Sequence, residues 1–285
     1  MKVRLFFLLL AAAASSLIFL SSRAESPRKL QASEPSAFLG FDLNIFPGNT
    51  ALPLLRKSFA FAGYWLSSPP GEKKNTWTGK RETVRSEGFG FLLLFRGRAT
   101  SDLKNEADGA QKGTHDARAA AAAAKREGFP QHSIVFLDIE EGGRLPAAYH
   151  GYLKAWSEEL SRGGYRPGAY CSGMIVDEGG GVTITTSDDI RAHAPSEDFV
   201  FFVFNYACPP SPGCVFPKTA PLPASSGISY AAIWQFAQSP RPKKFTAYCA
   251  PGYHADGNCY APGDAKHAWF LDVDSASRAD PSNGR

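Results

Sequence analysis

Short apolar runs alternate with segments that can form helices over the first two thirds of the chain. Apolar strands, each followed by such a segment, are predicted at residues 38–44, 59–66, 89–95, 134–139 and 165–171. After Pro195, three further apolar runs are joined by segments rich in proline, glycine, serine and cysteine. These runs cover residues 199–204, 230–236 and 268–274. The pattern predicts an α/β fold, a TIM-like barrel of five β/α units followed by three strands with few or no helices.

Two of the predicted helices have clear ends. Residues 114–128 carry Thr114 as a candidate N-cap and a run of six alanines, and Gly128 would stop the helix. The next helix begins at Pro146, and its buried stripe of aromatic and apolar residues ends before Gly163.

Two acidic residues close the most apolar of the predicted strands. Asp138 and Glu140 follow the run at 134–137, and side chains two apart on a strand share a face, with Cα atoms roughly 6–7 Å apart. Two charges on one face of a buried strand are costly unless they are paired or used. Because α/β folds place their chemistry at the carboxyl ends of parallel strands, the pair indicates a functional site. A salt-bridged strand end is the alternative.

The amino-terminal residues have the pattern of a secretory signal peptide. Lys2 and Arg4 precede an apolar run at residues 5–20, which is short for a membrane span, and a Ser-Arg-Ala cleavage pattern ends at Ala24. We expect residues 1–24 to be removed on export, which gives a secreted or periplasmic protein with no stable membrane insertion. An uncleaved anchor is the alternative. Residues 25–36 are predicted to be a linker, 37–276 a barrel domain and 277–285 a C-terminal tail.

Charge and motif content limit the possible partners and cofactors. The formal net charge is +4, but 28 of the 31 basic residues would remain against 27 acidic ones after loss of residues 1–24. That balance gives no reason to expect a nucleic-acid partner. No serine-hydrolase elbow, phosphate loop, zinc-protease motif or calcium loop occurs, and the six histidines are scattered. We expect a monomer that has no metal site and no other cofactor.

Four local patterns together resemble family 25 glycoside hydrolases, the lysozyme-type muramidases. They are Gly-Phe-Asp-Leu-Asn at 40–44, Asp-Ile-Glu at 138–140, Trp-Gln at 234–235 and Leu-Asp-Val-Asp at 271–274. The chain is most similar to a glycoside hydrolase-like subgroup with no established activity. The resemblance spans roughly residues 37–276 and implies the same barrel. One departure is Asp274, which stands where the family usually has asparagine.

The resemblance also implies roles for particular residues. Glu140 would protonate the leaving oxygen, Asp138 would orient the acetamido group or stabilise the cationic sugar, and Asp42 and Asp272 would position and tune these acids.

Substrate contacts are expected from a second group of residues. Its members are Trp234, Gln235, Tyr206 and Asp274, with Trp65, Trp77 and Trp269 as further candidates that core packing explains equally well.

The implied function is hydrolysis of a cell-wall glycan of the peptidoglycan type, built from N-acetylated sugars. The alternative is a barrel of the cell envelope that binds glycan without turnover, because binding and catalysis use the same cleft.

The five cysteines generate a prediction of their own. Cys208–Cys214 and Cys249–Cys259 should be disulfides, because export favours oxidation and neither spacing is that of a zinc knuckle, and Cys171 should be a free thiol. Such short loops contribute roughly 2–3 kcal/mol each, so they should order surface loops more than they hold the barrel. Peptide mapping without reductant tests the assignment, and Cys171 in a bridge would contradict it.

Overall fold

The strands of this protein close into a barrel within the part that the computed structural model describes, residues 36–193, 198–205, 219–239, 269 and 271–285. In chain order they are β1 Phe38–Asp42, β2 Phe61–Trp65, β3 Gly90–Arg96, β4 Ile134–Asp138, β5 Arg166–Ser172, β6 Val176–Gly179, β7 Val182–Ile184, β8 Val200–Phe204, β9 Ile233–Ser239 and β10 Leu271–Ala276. The pair β6–β7 forms a separate two-stranded sheet.

Helices follow each of the first five barrel strands. They are α1 Leu52–Leu55, α2 Arg81–Ser86, α3 Glu106–Glu127, α4 Ala147–Arg162 and α5 Thr186–His193. In the described ranges, β8, β9 and β10 are joined without an α-helix, so the predicted α/β barrel of five units followed by three strands is confirmed.

The direction of β10 decides what reaches the mouth of the barrel. The strands of the barrel are ordered β1-β2-β3-β4-β5-β8-β9-β10, and β10 closes the ring antiparallel to both β9 and β1. The other neighbouring pairs are parallel. The beginning of β10 therefore lies beside the end of β1, and Asp272 pairs with Asp42 in the register.

Helix α3 begins earlier than the sequence predicted. Its N-cap is Asn105, whose side chain accepts a hydrogen bond from the Asp108 amide, and not Thr114. Thr114 lies inside the helix, where its hydroxyl donates to the carbonyl oxygen of Ala110. The first two turns were missed because they are polar and contain two glycines, which are poor helix formers. The predicted stop is confirmed, since Gly128 adopts a left-handed conformation at φ 79°.

Small residues let α3 lie directly on α4. A Cβ atom at Gly113 would lie 2.2 Å from the carbonyl oxygen of Tyr152, and one at Gly109 would lie 2.1 Å from that of Ala148. Ala117 and Ala120 continue this contact surface and are fully buried. The close approach fixes the two helices that flank β4, the strand that carries the central acids.

Residues 277–285, expected to be a tail, lie across the amino end of the barrel. Asp280 accepts a hydrogen bond from the Phe91 amide, and the hydroxyl of the fully buried Ser282 accepts one from the Leu93 amide. The carbonyl oxygen of Ser282 accepts a third from the Ile134 amide. The segment thus satisfies backbone groups of β3 and β4 and extends the domain to residue 285.

Several sequence predictions concern residues outside the described ranges. They are the signal peptide at 1–24, the linker as far as residue 35, Tyr206, and the paired cysteines Cys208, Cys214, Cys249 and Cys259. The remaining cysteine, Cys171, is a buried free thiol in β5, and burial raises its pKa. None of the described helices combines the length and the apolar character needed to cross a membrane.

The α3–α4 contact generates a stability prediction. Replacing a helical glycine by alanine normally stabilises a helix by about 1 kcal/mol, but the new methyl group of Gly113→Ala would push α3 away from α4. We expect a net loss of about 1–2 kcal/mol in the free energy of unfolding, measured with urea. Gly142→Ala is the control, because open space surrounds that position. An unchanged or more stable Gly113→Ala variant would contradict the packing argument.

Candidate active site

A polar cavity of about 200 Å³ lies at the end of the barrel where the parallel strands finish. Side chains from all eight barrel strands and from the segments after β1, β2 and β4 line it. They are Asp42, Asn44, Trp65, Pro70, Leu94, Asp138, Glu140, Tyr170, Phe202, Gln235 and Asp272. The four acids that the sequence selected as catalytic are therefore brought together.

The end of β4 presents two of these acids as the alternation of a strand requires. Asp138 is the last residue of the strand and is only 4% exposed. The amide of Ile139 donates to the carbonyl oxygen of Tyr170, so the chain stays extended for one more residue. Glu140 then emerges on the same side and is exposed at the mouth of the cavity. Glu141 lies elsewhere, where its carboxylate accepts a hydrogen bond from the Thr100 amide.

A glycine on the neighbouring strand makes room for Asp42. Asp42 ends β1 and is 6% exposed, and a Cβ atom at Gly63 of β2 would lie 2.3 Å from the Cβ atom of Asp42. Any larger residue at position 63 would therefore displace this carboxyl group. Asp272 is half-buried beside it, because the antiparallel register sets these two residues opposite each other.

Asp274 lies deeper than the other acids and is completely buried. It pairs with Gly40 in the register, and within the described ranges neither of its carboxyl oxygens has a hydrogen-bond partner among ordinary donors. It does interact with the side chain of Asp42, an acceptor–acceptor contact that becomes a hydrogen bond when one carboxyl group carries a proton. Asp42 and Asp274 are therefore a proton-sharing pair.

Burial raises the pKa values of both members of this pair. Burial, with a smaller effect from the negative charge of Glu140, raises the pKa of Asp42 to about 7. Burial and then the charges of Asp42 and Asp272 raise the pKa of Asp274 well above its usual range. At neutral pH Asp274 therefore holds its proton, and Asp42 titrates.

Asp138 and Glu140 form a second coupled pair. Burial, followed by the negative charges of Glu140 and Asp42, raises the pKa of Asp138 well above its usual range. Burial also raises the pKa of Glu140, while the hydrogen bond from Asp138 and the positive charge of Arg96 act in the opposite direction. The more deeply buried Asp138 is the protonated partner, so it donates to Glu140, and the two titrate as a unit.

The predicted sugar-binding residues separate into two groups. Gln235 lines the cavity, is 1% exposed, and has a side-chain nitrogen without an acceptor in the described part of the chain. Trp234 is the neighbour of Gln235 on the strand, and neighbouring side chains face opposite sides. Trp234 therefore points away from the cavity. It is 3% exposed, and its indole N–H donates to the carbonyl oxygen of Asn205. Asp274 contacts Asp42 below the cavity. The tryptophan that lines the cavity is Trp65.

A second cavity of about 450 Å³ adjoins the first, and the two share Asn44 and Asp272. Trp269 and Phe46 are among the residues that line it, whereas Trp77 is fully buried and donates to the carbonyl oxygen of Leu43. The first cavity is smaller than the ~300–1,000 Å³ typical of small-molecule sites. A ligand with more than one ring would therefore extend along both cavities.

Sequence reasoning missed two residues of the site. Arg96 pairs with Asp138 in the register of β3 and β4, and its charge acts on both acids of β4. Tyr170 lines the cavity from β5. Each lies at the carboxyl end of a predicted strand, which is the positional signal that could have identified it.

Comparison with known proteins gives a family match and a common fold. A family model described as "Rv2525c-like, glycoside hydrolase-like domain" matches residues 55–207. No curated protein matches the chain.

Solved structures of the same fold come from several sources. An uncharacterized B. stearothermophilus protein is 19% identical with a TM-score of 0.53, over 85% of this chain and 97% of that one. The catalytic domain of endolysin ply40, from bacteriophage P40 of Listeria monocytogenes, is 14% identical with a TM-score of 0.50, over 88% and 100%. The Mycobacterium tuberculosis Tat-secreted protein Rv2525c is 13% identical with a TM-score of 0.47, over 85% and 95%. At these identities the first two likenesses, with TM-scores of 0.53 and 0.50, establish the barrel and not its chemistry.

The buried acids predict an unusual pH dependence of stability. An acid that keeps its proton when buried makes the folded state bind more protons than the unfolded chain, so the free energy of unfolding falls as pH rises. Each retained proton contributes about 1.4 kcal/mol per pH unit. Asp274→Asn removes one such proton and keeps a donor for Asp42. We expect its stability to fall less steeply between pH 5 and pH 7, by about that slope, in urea unfolding.

Asp177→Asn on the exposed strand β6 is the matched control. This change removes a carboxyl group far less buried than Asp274, so the control should follow the wild-type pH profile. If the pH profile of stability of Asp274→Asn coincides with that of wild type, the carboxyl group of Asp274 does not retain its proton in the folded protein.

Proposed function

Because the chain belongs to the Rv2525c-like family of glycoside hydrolase-like domains, we propose that it is an exported hydrolase of cell-wall glycan. The observation that carries the proposal is the cavity in which Asp138, Glu140, Asp42 and Asp272 meet. Cleavage of a glycosidic bond needs a proton for the leaving oxygen and negative charge near the cationic sugar. This cavity supports both requirements with side chains of the chain itself.

Glu140 is proposed to deliver the proton. It is exposed at the mouth, so a sugar oxygen can reach it, whereas Asp138 is buried behind it. Its raised pKa moves it toward the operating range of a general acid. The proton on Asp138 passes to Glu140 along their hydrogen bond and then to the leaving oxygen as the C–O bond breaks.

The same transfer supplies the charge that the second requirement demands. Once the proton has left, both Asp138 and Glu140 are ionised, and their charge lies beside the positive sugar ring. Water then adds to the sugar, and the proton that it releases restores the pair. Asp42 and Asp272 line the same cavity and add to its negative potential.

The shape and lining of the cleft favour a polymeric sugar substrate. Polar groups are arranged around Trp65 in the first cavity, and the second continues past Trp269. Aromatic faces beside hydrogen-bonding groups suit saccharide rings, which have apolar faces and polar edges. The resemblance to muramidases makes peptidoglycan the proposed glycan, and export through the signal peptide would bring the protein to it as a monomer.

Glu140→Gln provides the test. The amide keeps the shape of the side chain but cannot donate the proton, so release of soluble fragments from purified peptidoglycan should fall by about 10²- to 10⁴-fold. Glycan affinity should change little. Asp138→Asn should also slow the reaction, because it removes the relayed proton. Both variants should melt at or above the wild-type temperature, since each relieves crowding between acids.

Glu141→Gln is the matched control, because the neighbouring carboxylate contacts the Thr100 amide and not the cavity. It should retain full activity. A folded wild type that retains glycan but releases no product would replace the hydrolase with the second candidate, a glycan-binding barrel. Loss of melting temperature in both acid variants, without effect on glycan, would instead assign the pair a structural role.

A further inference from the structure

Two histidines and an aspartate meet where α4 contacts α5, away from the residues that line the cavity. His150 lies in the first turn of α4, and Asp189 and His193 are one turn apart on α5. One ligand atom from each lies within 4.8 Å of the others. His150 Nε2 is 2.8 Å from one carboxyl oxygen of Asp189, and His193 Nδ1 is 3.5 Å from the other.

The carboxylate at the centre has an unsatisfied oxygen. The Asp189 side chain is fully buried, and its Oδ2 atom accepts from the Leu145 amide and contacts His150. Its Oδ1 atom has no hydrogen bond within the described residues. The Arg144 guanidinium lies 3.7 Å from this oxygen, beyond hydrogen-bonding distance. A buried carboxylate oxygen without a donor is costly, which indicates that a further group binds there.

The two imidazole rings stack on each other. Their centroids are 3.8 Å apart and their planes differ by 14°. His150 Nε2 contacts the Asp189 carboxylate, and His193 Nδ1 lies 2.8 Å from the backbone carbonyl oxygen of Asp189; an ion bound through these nitrogen atoms would replace both contacts. Two imidazoles and one carboxylate are a common donor set for zinc, with water in the remaining position.

We propose that His150, Asp189 and His193 bind a divalent transition-metal ion, for which zinc is the probe of choice. The donors come from two helices, so the ion would fasten α5 to α4. Arg144 would not prevent binding, because its guanidinium is engaged bidentately with Glu178 and its side chain is 53% exposed. The sequence predicted no metal site because 43 positions separate the histidines, and only the packing of α5 on α4 unites them.

Zinc titration of the full, chelator-stripped, oxidised protein tests the proposal. Calorimetry should give one zinc ion per chain, and His193→Ala and His150→Ala should each weaken binding by about tenfold or more. Zinc at about 100 times its dissociation constant should raise the melting temperature of wild type by about 5–10 °C. His193 is 44% exposed, so its variant should fold, and its melting temperature in chelator checks this.

Two further variants sharpen the result. His115→Ala is the matched control, because His115 also contacts an aspartate, Asp116, but is not part of the cluster. It should bind zinc like wild type. Arg144→Ala should bind zinc equally or more tightly, because it removes a positive charge near the proposed ion.

Either of two outcomes would overturn the proposal. Wild type that binds no zinc stoichiometrically would leave the cluster as a hydrogen-bonded contact between helices. Zinc binding that survives both His150→Ala and His193→Ala would place the ion elsewhere in the chain. Neither outcome affects the proposed hydrolase, whose readout is glycan turnover.

Discussion

Burial of several carboxyl groups beside one another is the constraint on which this barrel depends. Desolvation penalises each charge, and repulsion between neighbours adds to the penalty. Protons resolve the conflict: Asp138 and Asp274 keep theirs, and Asp42 titrates near neutrality. The acids can therefore be packed at one mouth only as a set that shares protons. The proposed chemistry uses one of these protons, so what makes the site foldable also makes it reactive.

The scaffold around the acids is arranged to hold them at fixed positions. Antiparallel β10 brings Asp272 and Asp274 beside β1, and Gly63 leaves space for Asp42. On the opposite side, α3 and α4 pack without intervening side chains and hold β4, so that Asp138 stays at the end of a rigid strand. The site is thus built mainly on strands rather than on loops, which favours precise geometry.

The sequence predicted the barrel and its acids because both depend on local periodicity. Apolar runs marked the strands, and alternation set Asp138 and Glu140 on one face. It failed where tertiary contacts decide the outcome. The polar first turns of α3 are helical because their glycines fit against α4. The expectation for Trp234 failed for a different reason: adjacent residues on a strand face opposite sides, so Trp234 and Gln235 could not both line the cavity. The contact of His150 with His193 depends on helix packing, to which no local pattern corresponds.

The segment after β10 has a consequence for how the protein is made. Strand β10 fills the gap between β9 and β1, and Ser282 completes hydrogen bonds of β3 and β4. Until these residues have left the ribosome, the sheet remains an open ribbon with two unpaired edges, and its early strands have no partners at the barrel's base. Such edges invite pairing with other chains. A nascent chain therefore depends on being kept apart from other chains until its last strand can pair with β9 and β1.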